Sequence, residues 1–76
     1  MLEREPIESS ILNSIGYDFE NNILEIEFKK TQQVRQYHKF PKTVWHEFRN
    51  TDSKGRYFLK HIKNKYDEFR FTQKIS

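Results

Sequence analysis

A chain of 76 residues has room for one small domain, and with no cysteine it can build neither a disulfide framework nor a thiolate metal site. Ile, Leu, Val and Phe make up about a quarter of it, enough for folding, with seven Phe, four Tyr and one Trp carrying much of the core, and no apolar run nears the roughly 20 residues that span a bilayer. The net charge of +3 is lopsided: residues 1–28 set Arg4 against seven acids, whereas residues 29–76 set thirteen bases against four, a distribution that suits a polyanionic partner unless the two halves neutralise each other.

Residues 1–8 are polar and read as a flexible N-terminus without the apolar stretch of a secretory leader, so a cytoplasmic protein is expected. Ile11 to Asp18 reads as a first strand, and Gly16 within it marks a bulge or a close backbone approach. Glu20-Asn21-Asn22 is a turn, because Asn tolerates left-handed backbone. Ile23 to Phe28 then alternates, with Leu24, Ile26 and Phe28 on one face and Glu25 and Glu27 on the other, the pattern of a half-buried antiparallel strand. A third strand over Gln33–His38 places Arg35 and Tyr37 opposite Val34, beside Glu25 and Glu27. Pro41 suits the first turn of a helix whose apolar stripe is Val44, Trp45 and Phe48. Asp52 or Ser53 should cap a second helix that buries Phe58, Leu59, Ile62 and Tyr66. Residues 67–76 read as a short tail in which Phe69 and Phe71 pack back on the body. The predicted fold is α+β, a three-stranded antiparallel meander followed by two α-helices packed on one face.

Five stretches of residues 9–66 carry a family resemblance: Ser9-Ser10-Ile11, Ile15-Gly16-Tyr17-Asp18, Leu24 to Phe28, Val34 to Pro41, and Ser53-Lys54-Gly55-Arg56-Tyr57-Phe58 with His61, Ile62 and Tyr66. Together they resemble the KTSC domain, found at the C-terminus of some lysyl-tRNA synthetases and as stand-alone small bacterial proteins. The family's central Tyr-x-Tyr is half kept, with Arg35 in the first position and Tyr37 in the second, and Lys39-Phe40 replaces a glycine before the later proline. The resemblance implies an RNA-binding role by way of the synthetase association and implies no catalytic residue.

The residues themselves point to a non-enzymatic binding module. Lys54, Gly55 and Arg56 at a helix start combine free N–H groups, two cations and a glycine that lets a phosphate approach; the alternative is a plain cap with Gly55 there to let the two helices meet. Arg56, Lys60 and Lys63 recur along one helix side, either a phosphate-tracking ridge or a solvated face. Tyr37 beside Arg35 either stacks on an unpaired base or belongs to the core. His38, His46 and His61 fit no metal-ligand spacing, and no local motif assembles a nucleophile with its base, so no enzyme, metal or cofactor is expected. The expected partner is RNA, tRNA or single-stranded. The alternative is a protein-interaction or homodimerisation module that uses a sheet edge or the surplus aromatics Phe69 and Phe71.

Overall fold

The computed structural model describes residues 3–71. Among these residues, β1 (Glu5–Pro6), β2 (Leu12–Asp18), β3 (Ile23–Phe28), β4 (Val34–His38) and β5 (Asp67–Phe71) form one antiparallel sheet whose spatial order follows the chain. Between β4 and β5 the chain leaves the sheet to form α1 (Lys42–Asn50), α2 (Lys54–Tyr57) and a π-helical turn (Phe58–Ile62). The α+β class and the central meander are as expected, while the count of strands is five rather than three. Part of the expected flexible N-terminus pairs with β2, Glu5 against Ile15 and Pro6 against Ser14. Part of the expected tail is β5, paired along all of β4 from Val34–Phe71 to His38–Asp67. Residues 1–2 and 72–76 of those two segments lie outside the described residues.

Cross-strand register sorts the side chains into two faces. Ile15 faces Ile26, which faces Arg35; Tyr17 faces Leu24, which faces Tyr37. This is the face the helices cover. Tyr17 stacks on Trp45 of α1 at 5.3 Å, and Phe58 of the π turn meets Phe28 and Tyr37 edge-on at 5.3 and 5.9 Å. Leu12, Ile15, Leu24, Ile26, Tyr37, Phe40, Phe48 and Ile62 are fully enclosed there. The opposite, outer face carries Ser14, Gly16, Glu25, Glu27, Val34 and Gln36, continued by Phe69 and Phe71 on β5.

The expected alternation in β3 therefore holds, but Arg35 and Tyr37 sit across from Ile26 and Leu24 rather than beside the glutamates. The five-residue connection between Phe28 and Val34 sets this register: Gln32 adopts φ 58°, and the Phe28 N–H donates to the Gln33 carbonyl at 2.9 Å. Gly16 does mark a close approach, since a Cβ there would lie 2.6 Å from the Glu3 carbonyl; the bulge itself falls between Leu12 and Ser14. The second helix departs further from expectation. The Lys63 N–H bonds the Phe58 carbonyl at 2.8 Å, an i to i−5 closure that widens the last turn. The buried stripe then consists of Phe58 and Ile62, while Leu59, expected inside, is 53% exposed.

Candidate nucleic-acid interface

The connection between the helices builds the start of α2. The Thr51 N–H closes α1 on the Phe48 carbonyl, and Tyr57 bonds back to the Ser53 carbonyl at 3.0 Å. Ser53 stands at the N-cap in extended conformation, but neither its side chain nor that of Asp52 makes the expected capping bond. Lys54 bends back, its Nζ donating to the Thr51 carbonyl at 3.1 Å. That places its charge where carbonyls leave the end of α1, a favourable position for a cation.

Gly55 is not open to a phosphate. It is buried, and a Cβ on it would lie 3.0 Å from both Ile11 Cγ1 and Ser9 Oγ. Ser9 is fixed in turn, because its Oγ accepts from the N–H groups of Ile11 and Leu12 at 3.2 and 3.1 Å. Gly55 thus lets α2 lie against the segment that enters β2, not against α1 as the meeting of two helices would require. The depression beside it has Glu8 and Asp52 in its lining together with Lys54 and Arg56, so an anion there would meet two carboxylates.

The ridge is different. Arg56, Lys60 and Lys63 are all exposed, and none makes an ion pair among the described residues. Arg56 and Lys60 line one shallow depression, and Asp52 lines it with them. Lys63 follows the π turn, where the backbone has left helical geometry (ψ 127°), so the ridge bends at its end instead of running straight.

Arg35 and Tyr37 belong to the interior. Tyr37 is fully buried, and its hydroxyl donates to Glu68 at 2.7 Å; burial first, and then the Glu68 carboxylate, push its pKa far above the ordinary phenol value. Its ring cannot stack on a base, which corrects the recognition role expected for it. Arg35 lies 4.4 Å over the Phe28 ring, donates to Gln33 at 2.9 Å and reaches Glu68 at 3.3 Å. Burial alone would raise the Glu68 pKa, but the Tyr37 hydroxyl, Arg70 and Arg35 together hold it below the ordinary carboxylate value. Arg35, Tyr37 and Glu68 form a structural triad that locks β5 onto β4. Glu68 was missed because it lay in the presumed tail, although Glu68/Phe69/Arg70/Phe71 alternates as a strand does.

A second polar cluster occupies the outer face. Arg4 pairs with Glu25, whose side chain is 1% exposed, and also donates to Ser14 at 3.0 Å, while Gln36 donates to the other Glu25 oxygen at 2.9 Å. His46, Glu47, Tyr57 and His61 share a shallow depression, but no three metal-ligating side chains converge there or elsewhere among the described residues.

Comparison with known proteins reinforces the fold. The profile of the KTSC domain matches residues 8–66. An uncharacterized protein of Stutzerimonas stutzeri (strain A1501) is 40% identical over 57 residues, covering 75% of this chain and 79% of that one. The crystal structure of a KTSC domain protein from Yersinia pestis superposes with a TM-score of 0.88 at 37% identity, covering 93% of this chain and 99% of the other.

Proposed function

The chain belongs to the KTSC domain family, and from that premise we propose that it is a non-enzymatic binding module whose cationic ridge engages RNA. One observation carries this reading. The four ion pairs among the described residues are all made by Arg4, Arg35, Arg49 and Arg70, which leaves Arg56, Lys60 and Lys63 exposed without a carboxylate partner. Unpaired cations in a row exchange condensed counterions for backbone phosphates, which makes binding salt-dependent and largely indifferent to sequence. The family's occurrence on lysyl-tRNA synthetases supports RNA as the polyanion to test first. The interface is the helix ridge rather than the helix start, since Lys54 and Gly55 are occupied elsewhere.

Titration of tRNA and of single-stranded RNA at two salt concentrations tests this. Arg56→Ala, Lys60→Ala and Lys63→Ala combined should weaken binding of every sequence by a similar factor and reduce the log–log salt slope by about 2–2.7 units. All three side chains are exposed, so the melting temperature should stay unchanged. Absence of any chemical-shift change with excess RNA at low salt would end the reading.

A further inference from the structure

We propose that β5 is a pairing edge for a second copy of this chain, with two β5 strands meeting antiparallel about a two-fold axis at Phe69. The two edges of the sheet differ in kind. β1 is two residues long and contains Pro6, which has no N–H to offer, so that edge is blunted. β5 is five residues long, has no proline, and pairs on one side only among the described residues.

Charge selects the register. With Phe69 on the axis, Glu68 of each copy faces Arg70 of the other on the helix-covered side of the sheet, and Phe69 faces its own counterpart on the outer side. Moving the axis to Glu68 or to Arg70 sets two like charges directly opposite, which is unfavourable. The groups this pairing would cover are available: Phe69 and Phe71 are 49% and 46% exposed, and the Arg70 side chain is 60% exposed. Arg70 now reaches Glu68 of its own strand at 3.0 Å and needs only to turn outward to meet the second copy. An edge of five residues buries less than a standard interface, so the dimer is weak and concentration-dependent. This inference is independent of RNA binding, and its test contains no nucleic acid.

Sedimentation equilibrium of the full chain over a wide concentration range should show a monomer–dimer equilibrium. Arg70→Glu should weaken it about ten-fold or more, because both cross-strand pairs become repulsive. Glu68→Arg should do the same, and mixing the two variants should restore a heterodimer, in which both pairs between positions 68 and 70 are again of opposite sign. Glu68→Arg also removes the Tyr37 acceptor, so its melting temperature is measured alongside; Phe69→Asp, which leaves Glu68 intact, provides a second route to dimer loss. A wild-type chain that stays monomeric at millimolar concentration would overturn the proposal. So would a dimer indifferent to both Arg70→Glu and Phe69→Asp, or folded charge variants that fail to associate when mixed.

Discussion

Replacing Arg4 by Met removes a charge from a place where the sequence alone suggests only a loose terminus. Glu25 would keep the Gln36 amide as a donor but lose its cation, while its side chain is 1% exposed. Stranding one member of a buried pair costs about 3–5 kcal/mol. Here the retained Gln36 bond and the nearness of the N-terminal strand to water reduce that to about 2–3 kcal/mol. A domain of this size has a total stability of about 4–11 kcal/mol, so the loss is a large fraction. At about 4–8 °C per kcal/mol, the thermal midpoint should fall by about 8–24 °C, read by circular dichroism and confirmed by urea denaturation. Adding Glu25→Gln to Arg4→Met should recover part of the loss, since the buried group is then neutral. Arg49→Gln is the control: its pair with Glu5 is half-exposed at both ends, and its loss should cost less than about 0.5 kcal/mol. An Arg4→Met protein that melts with wild type would refute the reasoning, because Glu25 would then need no counter-charge.

Three other perturbations test particular contacts. Leu59→Lys should shift the melting temperature by no more than a few degrees, because the π turn leaves Leu59 53% exposed; a loss as large as that of a core position would mean the helix is regular after all. Gly55→Ala gains about 1 kcal/mol of helix propensity but crowds Ser9 and Ile11 at a cost of about 1–3 kcal/mol. The net should be a modest loss of stability with RNA affinity unchanged, and an affinity loss at full stability would return Gly55 to the interface. The Glu68 carboxyl titrates below its ordinary 4.5, so its stabilising effect is present above that pH and is lost as pH falls through the lower folded value. Glu68→Gln should therefore flatten the acid limb of melting temperature against pH, and an unchanged acid limb would remove the triad from the account.

The parts of the fold legible in the sequence were those with a strong period. Leu24, Ile26 and Phe28 declared the core face of β3, and Val44, Trp45 and Phe48 that of α1. The face assignment of β4 was not legible, because Arg35 and Tyr37 carry polar atoms that look outward-facing until Glu68 is placed beneath them. That partner comes from a strand 31 and 33 residues away, and no local pattern announces so distant a pairing. β1 was hidden for a different reason: a two-residue strand containing proline has no propensity signal, and what holds it is its pairing with β2 beside the Arg4–Glu25 pair. The spacing of Arg56, Lys60 and Lys63 is visible in one dimension, and all three are exposed. The fate of Gly55 depended on how closely Ser9 and Ile11 pass by, and that of Lys54 on the Thr51 carbonyl at the end of α1, both three-dimensional facts.

The order of strands in the sheet bears on how the chain folds. Three of the four pairings close over short connections, so the β1–β4 meander can zip up by local steps. The fourth, β4 with β5, closes only after residues 39–66 have run out and back through both helices. Its loop-closure entropy is recovered only once Phe48, Phe58 and Ile62 have settled on the sheet and Tyr37 is covered. β5 should therefore be the last strand to dock and the first to open, with its amide hydrogens exchanging ahead of those of β2 and β3. In a chain emerging from the ribosome, β4 must wait with an open edge until Glu68 arrives.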